Sequence, residues 1–134
     1  MTTKSTAKTS DKKKIEKDCY DLWSMCGRTK QRTCRNCGSD EHLSGHHIRS
    51  RSHALTRFDL DNCLCLCSKC HVGQKFNPER FQDMVISIIG DTEYQRLKAK
   101  SLQNFKPTMP WLLMMKDSLK TTLRQLEQGY GKLF

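Results

Sequence analysis

Cys34-Arg35-Asn36-Cys37, then Gly45-His46-His47-Ile48-Arg49-Ser50-Arg51, then Asn62 and Cys67-Ser68-Lys69-Cys70-His71 form the stretch that decides how this chain folds. Two C-x2-C pairs, separated by 29 residues, bracket a double histidine. Two thiolates one short turn apart can share one zinc ion, and four close its tetrahedral shell. Cys34, Cys37, Cys67 and Cys70 are therefore expected to hold a structural zinc with no open position. Cys65 competes with Cys67, but only Cys67 completes a C-x2-C with Cys70. The histidines need a separate account. A lone histidine is more often a satisfied core or surface residue than a ligand. Adjacent His46 and His47 at a strand end, with His71 directly after a zinc cysteine, are a different case. Neighbouring strand residues face opposite ways, so one imidazole can ligate a metal while the next faces a substrate. His42 and His53 lack this context and are read as loop residues.

Outward from this stretch the pattern predicts an α+β fold. Leu43 to Ile48 and Asn62 to Leu66 are short enough for strands, and Arg49 to Asp61 is a polar, basic loop. In the second strand Cys63, Cys65 and Cys67 share one face while Leu64 and Leu66 take the other. A helix from about Ser68 to Lys75 carries His71 in its first turn. On the N-terminal side, Ile15, Cys19, Leu22, Trp23 and Cys26 have helical spacing to about Lys30, with Trp23 as a core anchor. On the other side, Asn77 caps a helix opened by Pro78 and ended by Gly90. Asp91 or Thr92 caps a short helix to about Leu102. Pro110 opens a last helix to about Gln128, with Trp111, Met115, Leu119, Thr122 and Leu126 on one face. Residues 1–14 carry five lysines against one aspartate, a net +4 without apolar periodicity, and are expected to be a disordered basic tail. That tail is either an arm that gathers phosphates or a solubilising segment. The expected organisation is thus tail 1–14, zinc-stapled domain 15–105, and a C-terminal helix 106–134 that packs or dimerises.

Composition narrows the class. A 134-residue chain with 36% hydrophobic and 7% aromatic residues has a thin core, which a metal staple would support. A net charge of +10 favours a polyanionic partner, nucleic acid first and an acidic membrane surface second. No apolar run approaches the roughly 18 residues that span a bilayer, and Met1 to Lys14 lacks the apolar centre of a secretory signal. The expected location is the cytoplasm, where eight cysteines favour zinc over disulfides. Cys19, Cys26, Cys63 and Cys65 are then small, reduced, buried hydrophobes.

The order C-x2-C, H-H-I-x-x-R, N-x4-C-x2-C-H resembles the HNH endonuclease family with its ββα-metal fold. F-N-P-E-R-F and I-I-G-D-T-E-Y further resemble phage-type members, including recombination nucleases of the NinG kind, and imply a phage-encoded protein in the host cytoplasm. The four-cysteine zinc resembles that of phage junction resolvases of the endonuclease-seven type. The resemblance spans roughly Trp23 to Leu102. It implies that His46 and His71 ligate a catalytic divalent metal, Mg2+ or Mn2+ and possibly Ni2+. It implies that His47 is the general base, that Asn62 braces the loop carrying His47, and that Arg51 contacts the scissile phosphate of DNA. Many family members carry another histidine a turn after the C-H pair, whereas Val72-Gly73-Gln74-Lys75 has none. Arg49, Arg57 and Lys75 border the site as DNA contacts, to phosphates or base edges. Two other readings stay open: a non-catalytic zinc-stapled DNA-binding module, and a packaging or recombination accessory protein whose last helix binds a partner.

Overall fold

The computed structural model describes residues 2–132, with side chains at 10–72 and 77–129. Helix α1 (Thr2–Gln31) leads to strand β1 (Leu43–His47), a single 3-10 turn (Leu60–Asn62) and strand β2 (Cys63–Cys67). Four helices follow: α2 (Ser68–Phe76), α3 (Pro78–Ile89), α4 (Asp91–Ser101) and α5 (Met109–Lys132). β1 and β2 pair antiparallel, from Leu43 opposite Cys67 to His47 opposite Cys63. The expected strand-loop-strand-helix core is therefore present, and the fold is α+β.

This two-stranded sheet has apolar residues on both faces. On one side Cys63 packs with Cys19, Trp23 and Cys26 of α1, with Phe58, and with Leu112, Leu119 and Leu123 of α5. On the other, Leu64 and Leu66 pack with Ile48, Val85 of α3, and Tyr94 and Leu97 of α4. All five residues of β2 are buried. That is why C-L-C-L-C is an unbroken apolar run, the pattern of a strand covered on both sides. Glycines permit the close approach of α1. A Cβ on Gly27 or Gly45 would run into Cys63 Sγ, so helix and strand meet backbone to side chain.

α5 runs alongside α1 in the same direction. Cys19 Sγ donates to Leu112 O (3.6 Å) and Cys26 Sγ to Leu119 O (3.4 Å), so seven residues on one helix match seven on the other. All four extra cysteines are buried, and two of them, Cys19 and Cys26, also donate to carbonyls. Lys116 closes the seam on Asp18 at 3.0 Å.

Several local expectations need correction. α1 continues into the segment expected to be a disordered tail; lysine is a good helix former and adds turns cheaply to a helix already nucleated by packing beyond Ile15. Ser10 to Lys14 are exposed or half-buried along it, and the side chains of 1–9 lie outside the described residues. The N-cap of α4 is Gly90, not Asp91 or Thr92, because Gly90 (φ 89°) turns the chain directly from α3 into α4. Asn77 does cap α3, its side chain accepting from Arg80 N. The buried stripe of α5 centres on Leu112, Leu119 and Leu123, with Trp111, Met115 and Leu126 half-buried beside it.

Candidate active site

The hairpin has a cysteine end and a histidine end. At the first, the four Sγ atoms of Cys34, Cys37, Cys67 and Cys70 lie within 4.8 Å of one another. Cys37 Sγ and Cys67 Sγ are 3.6 Å apart. Sulfurs about 2.3 Å from one tetrahedral zinc stand about 3.8 Å from each other, so the cluster fits that ion. The sequence builds this geometry locally. Gly38 takes φ +83° after the second cysteine, and its N–H returns to Cys34 O at 2.8 Å. Cys37 N donates to Cys34 Sγ (3.5 Å) and Asn36 Nδ2 to Cys70 Sγ (3.3 Å), which supports negative charge on sulfur. Burial opposes ionisation of Cys34, yet backbone N–H groups of Cys67, Cys37 and Asn36 outweigh it and bring the thiol down to about 6. Cys70 moves the other way, to about 12: the Asn36 bond favours its thiolate, but burial and the neighbouring sulfurs prevail. Four crowded sulfurs cannot all ionise alone; a divalent cation removes that conflict. Cys65 takes no part. It is fully buried, and its backbone bonds Gln31 Oε1 (2.7 Å) and Arg35 N (2.9 Å).

At the other end the two adjacent histidines turn to different partners, as strand alternation requires. His46 stacks on His71, ring centroids 3.9 Å apart and planes at 19°. Its Nε2 is 2.8 Å from Ser44 Oγ. Burial, then the neighbouring His71 and His47, depress His46 to about 4, so it is neutral and available as a ligand. His71 sits in the first turn of α2, and its buried Nδ1 has no hydrogen-bond partner. Two facing imidazoles, one with an orphaned nitrogen, suit a divalent cation.

His47 stacks on Trp23, centroids 4.0 Å apart and planes at 12°. Its Nε2 is 2.8 Å from Arg57 O. A carbonyl only accepts, so Nε2 carries the proton and Nδ1 keeps its lone pair. Burial lowers the His47 pKa below the ordinary 6.5; the Arg57 carbonyl opposes this, and the charges of Arg51 and Arg57 add to it. Trp23 Nε1 donates to Asp59 O at 2.8 Å, so the indole also fixes the loop that holds His47.

Asn62 is fully buried beneath that loop. Its Oδ1 accepts from Arg49 N (2.7 Å), and its Nδ2 donates to Arg49 O (3.0 Å) and Thr56 O (3.1 Å). Arg49 is turned away from the histidines: Nε reaches Ser101 Oγ (3.0 Å) and Nη1 reaches Tyr94 OH (3.3 Å). It ties the loop to α4, so two of its donors are unavailable for the expected DNA contact. Arg51 is exposed and lines, with His47 and Arg57, an open cavity of about 400 Å³. Arg57 is held by Arg51 O (3.0 Å from Nε) and by Glu16 (3.7 Å). The side chain of Lys75 lies outside the described residues.

The sequence reading takes Trp23 as core and places Lys13 in the basic segment 1–14 as a candidate phosphate contact; it does not identify Tyr20 and Lys17, which line the cavity with Lys13. The one available signal was the aromatic pair Tyr20 and Trp23 on one helix face, centroids 5.8 Å apart.

Residues 34–75 match the family model described as HNH endonuclease, from Cys34 to just beyond His71. The matched segment contains the ββα hairpin-helix of a small α+β fold and the four-cysteine cluster, whose sulfurs are placed to hold a metal ion. No curated protein and no solved structure matches the chain. No helix among the described residues is long and apolar enough to cross a membrane.

Proposed function

We propose that this protein is a metal-dependent DNA endonuclease that hydrolyses phosphodiester bonds, with the cysteine cluster as its structural zinc site. The observation that carries this reading is His47, a neutral imidazole with a bare Nδ1, locked between Trp23 and a backbone carbonyl at the edge of a cationic cavity. His47 Nδ1 takes the proton of a water as its oxygen attacks phosphorus and the bond to the leaving 3′ oxygen breaks. General base catalysis of this kind is typically worth ~10²–10⁴-fold. Arg51 grips two phosphate oxygens at once, as a planar guanidinium can. Asn62 holds the loop backbone in register, a positioning role. His46 and His71 would hold a divalent cation, Mg2+ or Mn2+, which when bound offsets charge on the phosphate and the leaving oxygen. The phage-type reading rests on F-N-P-E-R-F, which runs from the end of α2 into α3, and on I-I-G-D-T-E-Y, which runs from the end of α3 into α4.

One such site makes one cut at a time. Exposed Leu113 (47%) and Met114 (58%) on α5 offer a seam for a homodimer that cuts both strands. Supercoiled plasmid incubated with Mg2+ or Mn2+ is expected to become open-circular with a monomer and linear with a dimer. His47→Ala should lower the rate at least ~100-fold while leaving zinc content and DNA binding intact. Cleavage that survives this change would disprove the base assignment. No cleavage by the unmodified protein would favour the non-catalytic DNA-binding module.

A further inference from the structure

The cavity at His47 is only half built by the loop; the other wall is α1, outside the matched residues 34–75. That wall supplies Lys13, Lys17 and Tyr20. We infer that α1 and the Arg51 loop together hold one unpaired nucleotide beside the cut phosphate, its base against Tyr20 and its own phosphate against Lys13 and Lys17, with Arg51 kept for the cut phosphate. This rests on the endonuclease reading and specifies its substrate: DNA with single-stranded character at the cut.

Size, charge and the aromatic ring each support this. About 400 Å³ is at the low end of ligand cavities, room for a nucleotide and too little for a duplex. Four cations and one carboxylate line it, a net +3 with His47 neutral. The carboxylate, Glu16, sits 3.7 Å from Arg57, so Arg57 is partly neutralised, and among the described residues Lys13 and Arg51 are the lining cations without an ion pair. Lys17 bonds Asp21 at 3.0 Å, but its side chain is 76% exposed, and such surface pairs exchange partners cheaply. Tyr20 is 39% exposed and leans on Trp23 and His47, with ring centroids at 5.8 and 6.0 Å. Its ring is thus fixed in orientation while part of it stays open. A base offers its face to such a ring only when it is unstacked from its neighbours, as single-stranded nucleic acid permits.

The test is equilibrium binding without added divalent metal, by fluorescence anisotropy, of a labelled single-stranded oligonucleotide and its duplex. Tyr20→Ala is expected to weaken single-strand binding roughly 5- to 100-fold, and Tyr20→Phe to restore it. Tyr20→Leu keeps apolar packing on Trp23 and should behave like Tyr20→Ala, which separates lost stacking from lost folding. Duplex binding should be unchanged by all three. Lys13→Gln with Lys17→Gln should reduce the salt slope for the single strand by about 1. Equal single-strand binding by Tyr20→Ala and the unmodified protein overturns the inference, as does equal weakening on the duplex. Because no cleavage is read, intact Mg2+-dependent cleavage without a Tyr20 effect defeats only this inference. A clear Tyr20 effect without any cleavage defeats only the endonuclease reading.

Discussion

The two ends of one five-residue hairpin carry donor sets with opposite character. At the Leu43–Cys67 end, four sulfurs converge on one point and are braced by N–H donors, leaving no ligand position for water or substrate. At the His47–Cys63 end, two imidazoles face each other and a third lines an open cavity, so a metal held there would have two protein ligands and most of its shell open. A closed set gives stability and an open set gives chemistry. The hairpin lets one element fix both, since Cys70 and His71 are neighbours on α2 and belong to different ends.

The comparison predicts unequal damage. Cys34→Ser should have the largest effect, because the closed end is expected to hold the small domain together. We expect loss of the bound zinc and a fall in thermal midpoint of at least roughly 10 °C, measured by metal analysis and calorimetry. Retained zinc and an unchanged midpoint would mean that the cluster is not a staple. Asn62→Ala comes next. It leaves Arg49 N and Arg49 O without their partners under the histidine loop, while Thr56 O keeps the Asp59 N–H (3.1 Å); this should cost about 2–4 kcal/mol in denaturant unfolding. Zinc should stay bound, so cleavage should fall without loss of the metal.

A subtler separation comes from pH. A base works only when neutral, and burial holds His47 below 6.5, so the cleavage rate should be flat from neutral pH down to that value. It should then fall as pH drops through the lowered pKa. A decline that begins well above 6.5 would contradict the half-buried, stacked position of the ring. The smallest effect should be Cys65→Ala, a buried cysteine outside the cluster. Zinc content should not change, and stability should drop by no more than ~1.5 kcal/mol, checked by metal analysis and urea unfolding.

What could be read from the sequence was local. C-x2-C spacing constrains sulfurs within a single turn, Asn77-Pro78-Glu79 is a self-contained helix start, and C-L-C-L-C reads as a strand whatever covers it. Each expected strand limit that differs from the observed one does so by a single residue: Ile48 lies just outside β1, Asn62 just outside β2, and Cys67 is added to the end of β2. Contacts between distant elements left no such trace. Trp23 meets His47 across 24 positions, and nothing in either neighbourhood marks the stack. Arg49 has the composition of a phosphate ligand and is turned to Ser101 and Tyr94 only because α4 packs there. The parallel course of α1 and α5, marked by two S–H···O=C bonds across an apolar seam, is a pairing that no periodicity announces.

The division between the two ends is tested most directly by comparing His71→Ala with Cys70→Ser, neighbours in the chain, for zinc content and Mg2+-dependent plasmid cleavage in the same preparations. The account predicts that His71→Ala keeps its zinc and thermal midpoint and loses cleavage, whereas Cys70→Ser loses the zinc and the midpoint with it. A His71→Ala protein that sheds the zinc, or that keeps full cleavage, would contradict the assignment of the two residues to separate sites.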